Sequence, residues 1–534
     1  MGRVIGLRHR IKVTAEGEAR PTQLAIYIPE AHVTDILELE TELDELDFVL
    51  GRYPVSFRKI KPEDELENFL SHHVKWRKIR SNEQKSKFPD KFIGKDDRGN
   101  TIVATQVPND YDGLSAGDMV ATIFGGSGDM FVCALAERGK EISATVHRIA
   151  AKNLSSSRPS DDKSDDAVLL TKLLRSEPAL FHEFGPRDAS LIHVRETYRV
   201  RTDAMKARIQ TEQRLRSRLI GQMFRSLSIE GDITQAYDAM KANDKIFQGV
   251  LADERRCYRD FEKAVGSTLV YDKIFSGIEG VGPAIAGRII AAVIDVRRFG
   301  TCARFKSFCG VRVRDDGSFL RRRTGMTNNW HNDARQAFWL VADQFNRRAN
   351  SPWGKILRYY KVKLAERHKS ASVPKHMSAL FRKAERIFQG FDLGLSIDSY
   401  DVSTSEGMLA YLEDGVRKLS QAESSGELTL QLREEIGKLN GKDSTQTVSV
   451  FTPGHIHKMA QWRSATKFAE WLYREWTRLE ADPASFVARP PNILRFADPQ
   501  MYEDWILKIE KTDPDARRAC QAQANEATRL HDAA

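Results

Sequence analysis

Cysteine is scarce. The 534 residues hold five, Cys133, Cys257, Cys302, Cys309 and Cys520, and none forms a Cys-x-x-Cys pair. Cys302 and Cys309 lie seven apart without a companion His/Cys set, so no disulfide framework or zinc site is expected from them, and a reducing compartment fits. Long apolar runs are also missing. None approaches the ~20 residues a membrane span needs, and none follows Arg3 in the manner of a secretory leader. The expectation is a soluble, cytoplasmic chain with no membrane partner. Acid is in mild deficit, with 83 Lys and Arg against 74 Asp and Glu, a formal net charge of +9. That excess is modest for the length, and it favours a polyanionic partner only where it clusters.

Hydrophobic residues at 41% and charged residues at 29% mark a globular chain, and its length predicts roughly three or four structural units. Residues 1–180 read as mixed α/β. Leu24–Ile28, Thr101–Thr105 and Met119–Phe124 are β-rich. A helix is expected over Met130–Arg138 and a further strand over Glu141–Val146. A basic insertion spans 70–97 and includes His72, His73, Lys75, Trp76, Arg77 and Lys78. The Ser-rich stretch 153–165 reads as a loop leading into a helix from Asp165. Residues 187–265 lack proline and hold only Gly221, Gly231 and Gly249, so a long, coiled-coil-like helical arm is expected. Its first half is crowded with Arg195, Arg199, Arg201, Lys206, Arg208, Arg214, Arg216 and Arg218, either a solvated face or a phosphate contact. Residues 270–370 form a motif-rich region, and 371–534 a helical extension of unassigned role. In that extension Trp462, Trp471, Tyr473 and Trp476 fit a helical core stripe better than a base-stacking platform.

The sharpest local signal is Gly277-Ile278-Glu279-Gly280-Val281-Gly282-Pro283-Ala284-Ile285-Ala286-Gly287, followed by an apolar helix over Arg288–Val296. Glycines permit a tight turn with positive φ, and Pro283 suits a first helical turn. Two helices joined by a Gly280–Gly282 turn are predicted over 270–300, as in a helix-hairpin-helix. Such a turn can hold a DNA phosphate on the amides of the second helix; a hairpin that only packs would look the same.

Further signals follow in order: Asp295-Val296-Arg297-Arg298-Phe299, Phe305-Lys306-Ser307-Phe308-Cys309-Gly310-Val311, Arg321-Arg322-Arg323 and Asn332-Asp333-Ala334-Arg335. This succession, over about 270–360, resembles the C-terminal domain of the insertion-sequence transposases numbered one-ten, one-sixteen and nine-oh-two. That family includes Piv-type DNA invertases and bridge-RNA-guided recombinases. A fainter likeness covers 1–175, where the family has a RuvC-like, ribonuclease-H-type domain carrying four acids. The resemblance implies an α/β RuvC-like domain, a helical arm and a mostly helical C-terminal domain with a helix-hairpin-helix.

It also implies site residues. The family's strand-exchange serine corresponds to Ser318 in Asp315-Asp316-Gly317-Ser318-Phe319, though here the serine follows the glycine. Arg321, Arg322 and Arg323 would stabilise a phosphoryl transition state beside it; an ordinary turn serine is the other reading. In the first strand Leu7 or Arg8 stands where an aspartate is expected, and Phe124 or Gly125 where a glutamate is. Asp162, Asp165 and Asp166 match the family's acidic helix start. Asp162 and Asp165 would be ligands for Mg²⁺, or these acids cap a helix. The expected function is a DNA transposase or site-specific recombinase. Its partner is DNA, contacted by Gly280, Val281, Gly282, Arg214, Arg216, Arg218, Arg321, Arg322, Arg323 and Arg335. A structured guide RNA and a homodimer or homotetramer are compatible with it. The alternatives are a nuclease-deficient relative that binds nucleic acid without cutting, and an interaction scaffold on the same fold.

Overall fold

The computed structural model describes residues 2–11, 19–80, 85, 88–123, 128–159, 162–227, 232–313, 319, 329–374, 377–402, 404–422, 425–438, 445–449, 451–511, 513–515 and 517–522. The chain divides into two compact units. The first is Met1–Thr268 with Val293–Gly300, and the second Leu269–Ala292 with Thr301–Ala534.

The first unit is built on a six-stranded sheet. Strands β1 (Val4–Arg8), β2 (Thr22–Ile28) and β3 (Val33–Leu39) form an antiparallel meander. Strands β8 (Met119–Ile123) and β9 (Thr145–Ile149) continue from β1 in parallel, and β10 (Phe181–Glu183) closes the edge antiparallel, giving the order β10-β9-β8-β1-β2-β3. Helix α1 (Glu42–Val49) leads into an inserted second sheet of β4 (Tyr53–Lys59), β5 (Lys75–Lys78), β6 (Ile93–Lys95) and β7 (Thr101–Asp112), all pairing with β7. The basic stretch 70–97 is thus part of a small sheet with its own core around Val74, Phe92, Val103 and Val107.

Helices α2 (Asp129–Ile142), α3 (Ala151–Ser157) and α4 (Asp166–Ser176) accompany the main sheet. Two local expectations are corrected here. The strand expected over Glu141–Val146 begins at Thr145, because α2 runs on to Ile142, held by Lys140–Glu137 and Arg138–Glu141 pairs, and ends at Ser143 with φ 62°. The stretch expected as a loop from 153 is helical to Ser157. Its serine hydroxyls donate back to the carbonyls of Lys152 and Asn153, which satisfies them without breaking the helix.

The arm is three helices, not one: α5 (Pro186–Ser226), α6 (Ile233–Asn243) and α7 (Lys245–Gly266). Asp232 and Asp244 cap the latter two by accepting from the amides of Thr234 and Phe247, so each aspartate starts a helix the apolar periodicity alone would have run together. Helix α7 packs along α5.

The second unit is mostly helical. It holds α8 (Pro283–Val293), whose last residue belongs to the first unit, then α9 (Cys302–Phe308), α10 (Asn332–Arg347) and α11 (Pro352–Arg367). Strand β11 (Lys369–Pro374) pairs antiparallel with β12 (Thr445–Ser449), around α12 (Met377–Gly390), α13 (Ser405–Leu419) and α14 (Gly426–Gly437). The chain goes on through α15 (Pro453–Ala481), α16 (Leu494–Ala497) and α17 (Pro499–Glu510). Trp471 and Trp476 are buried on α15, and Phe468 packs against Phe338, Phe345 and Trp353, so the aromatic stripe is core. No described helix is long and apolar enough to cross a membrane.

Gly6 fixes how α4 lies on β1. A Cβ there would stand 1.9 Å from the Ala167 carbonyl oxygen and 2.5 Å from Thr171 Oγ1, which itself donates to Ala25 O. Gly6→Ala is expected to push α4 off the strand and destabilise the first unit by about 3 kcal/mol, the upper range for overpacking. Gly221→Ala, where a Cβ meets open space on α5, should instead stabilise by up to about 1 kcal/mol. Urea unfolding followed by circular dichroism checks both signs.

Candidate nucleic-acid interface

The Gly280 turn has the geometry its residues predict. A helical segment ends in the π turn Tyr271–Phe275, Gly280 takes φ +84°, and α8 begins at Pro283, so no strand runs through Val281. The Val281 amide donates to Ile278 O, and the Gly282 carbonyl accepts from Ile285 and Ala286. A Cβ on Gly282 would meet nothing within 4 Å, so the face of the turn at the start of α8 is open. The first amides of a helix have no intrahelical acceptor and carry positive charge density. A Cβ on Gly280 would touch Arg348 Cδ, Nε and Cζ at 2.9 Å, so the exposed Arg348 side chain lies against the turn. Sequence reading missed Arg348, which is far along the chain from Gly280 and outside every motif.

Arg335 is held differently. Its guanidinium lies between the indoles of Trp330 and Trp462, 4.5 and 4.6 Å from their centroids, and Nη1 donates to Gly310 O at 2.7 Å. Burial lowers its pKa. This cation braces the positive-φ Gly310 turn (φ 64°). Ser318, Arg321, Arg322 and Arg323 lie outside the described residues.

Most cations of the arm's first half are matched. Arg195 pairs with Asp129, Arg199 with Glu196, Lys206 with Asp203, and Arg208 with Glu212 and Glu254. Arg214, Arg216 and Arg218 are exposed beyond them, flanking the buried Leu215 and Leu219, with Asp244 3.6 Å from Arg218.

The acids at the start of α4 are distributed over separate tasks. Asp162 is exposed and accepts from Ser164 N and Oγ, the latter bond being the main reason its pKa is lowered. Asp165 is exposed at the N-cap. Asp166 is buried and takes both Arg158 Nε and Nη2, at 2.6 and 2.7 Å. Among the described residues no third His, Cys, Asp or Glu ligand gathers with Asp162 and Asp165.

A larger charged cluster lies inside the first unit. Asp129, at the start of α2, is buried between Arg148 (2.9 Å) and Arg195 (2.6 Å). Beside it, Arg297 bridges Asp295 and Asp188. Asp188 also accepts from the Gly185 amide at the start of α5. Burial raises the Asp188 pKa, helped by neighbouring Asp295, against the pull of Arg297. Burial acts in the same direction on Asp295, but hydrogen bonds from Arg297 and its charge outweigh it and bring that carboxyl below its usual range. Both Asp188 oxygens accept, Oδ1 from Arg297 Nη2 and Oδ2 from the Gly185 amide. Asp295 and Arg297 stood in a recognisable motif; Asp188, 109 residues from Arg297, gave no sequence signal.

Residues 272–359 match the family model described as Transposase IS116/IS110/IS902. That part of the chain is similar to the insertion-sequence transposases, the family the resemblance pointed to. No curated protein matches the chain.

Asp188→Asn should cost about 1–3 kcal/mol, because it replaces a carboxylate that accepts from Arg297 Nη2 and the Gly185 amide while leaving Arg297 its other carboxylate. Asp295→Asn removes the carboxylate that takes Arg297 Nε and Nη2 together and should cost about 3–5 kcal/mol. Chemical denaturation of the two variants, side by side, checks the asymmetry; a larger loss for Asp188→Asn would contradict it.

Proposed function

We propose that this chain is a DNA transposase or site-specific recombinase of insertion-sequence type. The observation that carries the reading is the family match over the segment holding the Gly280 turn and the open start of α8. In this reading a DNA phosphate sits on the α8 amides at Gly282, with Gly280 and Val281 shaping the turn and Arg348 adding a cation. Arg214, Arg216 and Arg218 hold the phosphate backbone further along, and Arg335 acts indirectly by bracing the Gly310 turn. The order β3-β2-β1-β8-β9, an antiparallel meander followed by two parallel strands, supports a RuvC-like, ribonuclease-H-type first unit.

For strand exchange, Ser318 Oγ is the nucleophile. Its bond to phosphorus forms as a strand hydroxyl leaves, and the hydroxyl of a second strand reverses the step. Arg321, Arg322 and Arg323 stabilise the charge that develops. Asp162 and Asp165 are the residues that would hold Mg²⁺, which supplies Lewis-acid stabilisation of the phosphate. A structured guide RNA and a homodimer or homotetramer belong to the same reading.

The second reading, a nuclease-deficient relative that binds nucleic acid, is favoured by one specific observation. Asp166 and Asp129 are matched by arginines, and Leu7 or Arg8, at the end of β1, stands where the family has an acid.

Binding of duplex DNA, read by fluorescence anisotropy, should weaken steeply between about 50 and 200 mM salt, by roughly a log unit per log unit of salt for each phosphate neutralised. Replacing Arg214, Arg216 and Arg218 together with alanine should lower that slope by roughly one for each phosphate left without its arginine, and leave sequence preference unaltered. Affinity flat in salt would leave only the interaction-scaffold reading. Given the element's own ends and Mg²⁺, Ser318→Ala should abolish joining and keep binding; joining at the wild-type rate would remove Ser318 from the chemistry. A wild type that binds but never cuts selects the nuclease-deficient reading.

A further inference from the structure

The insertion in the first unit carries a cluster that the DNA-binding reading does not use. Asp47 lies in the last turn of α1 and is 1% exposed. His72 and His73 lie in the turn just before β5, where the His73 amide donates to Leu70 O. His72 Nε2 stands 2.7 Å and His73 Nε2 2.6 Å from the same oxygen, Asp47 Oδ2. The candidate ligand atoms of the three residues all lie within 4.8 Å of one another. The other carboxylate oxygen, Oδ1, accepts from Arg52 Nε at 2.8 Å.

One carboxylate oxygen can accept from both imidazole N–H groups, and the same convergence brings two nitrogens and an oxygen together. It is a good starting point for a metal. A zinc ion takes imidazole nitrogen at about 2.0–2.1 Å and carboxylate oxygen at about 2.0–2.2 Å, so tetrahedral ligands stand roughly 3.3 Å apart. The two nitrogen–oxygen spacings, 2.7 and 2.6 Å, are shorter than this, and all three ligand atoms lie within 4.8 Å of one another. Arg52 occupies Oδ1 and leaves Oδ2 as the single metal-facing oxygen. His73 is buried and His72 half-exposed, so one side of the cluster is open to a water ligand.

We propose that Asp47, His72 and His73 form a binding site for a zinc-class divalent ion that ties α1 to the inserted β4–β7 sheet. Two imidazoles and one carboxylate favour Zn²⁺ and its neighbours over Mg²⁺, which seeks an all-oxygen octahedron. The site is therefore distinct in ligand chemistry from any Mg²⁺ at Asp162 and Asp165, and its test does not depend on DNA.

Full-length protein stripped with chelator and desalted is titrated with Zn²⁺ against a competing indicator, and in parallel with Co²⁺, whose visible absorption reports coordination. One tight equivalent is expected, with a rise in melting temperature that Mg²⁺ does not reproduce. Asp47→Asn and His73→Ala alter buried positions, so the deciding variant is His72→Ala, at the most exposed of the three, with its circular dichroism spectrum checked against wild type. It should bind Zn²⁺ at least ~10–100-fold more weakly, since losing a ligand costs no less than losing an outer-shell partner, and its melting temperature should not respond to the metal. Wild type that binds no Zn²⁺, or binds it as His72→Ala does, overturns the site.

Discussion

Charge buried in the first unit has to be matched, and arginine does the matching. An unpaired buried carboxylate costs several kcal/mol, so each one dictates what stands beside it. Asp129 requires Arg148 and Arg195, Asp166 requires Arg158, and the Asp188–Asp295 pair requires Arg297. These pairings join the start of α2, strand β9, the start of α5 and the segment 293–300. They explain why Val293–Gly300, from within the segment that matches the family model, belongs to the first unit.

The same matching shapes the chemistry. A buried carboxylate paired with guanidinium groups stays ionised, but to ligate a metal it would have to give up pairing that offsets its burial. Asp129 and Asp166 are in that position, while Asp162 and Asp165 are exposed at the head of α4. The charge excess of the chain is likewise partly internal. Arg195 and Arg208 answer acids on α2 and α7, while Arg214, Arg216 and Arg218 are exposed.

Much of the fold is legible in local pattern. β-rich runs became β1, β2, β7 and β8, and the Gly280–Gly282 turn folded as its glycines require. What was not legible depends on contacts distant in sequence or on single capping groups. Asp232 and Asp244 cut the arm into three helices, and the Ser-rich stretch stayed helical because its hydroxyls bond back onto the chain. At the site, Gly280 and Asp295 announced themselves by motif, whereas Asp188 and Arg348 are recruited by folding from far along the chain. Asp47 meets His72 and His73 only because the inserted sheet returns to α1, and without a cysteine nearby the local sequence carries no metal motif. Ser318 and Arg321–Arg323 rest on the family resemblance.

The central claim is that the Asp295–Arg297 segment folds as part of the first unit, anchored at Asp188. Hydrogen–deuterium exchange measures it directly. The amides of Asp295, Arg297, Arg298 and Phe299 all donate within the segment, and the account predicts that they exchange as slowly as those of β1 and β8 and open together with them. Exchange at the rate of an exposed loop, while β1 and β8 remain protected, would contradict it.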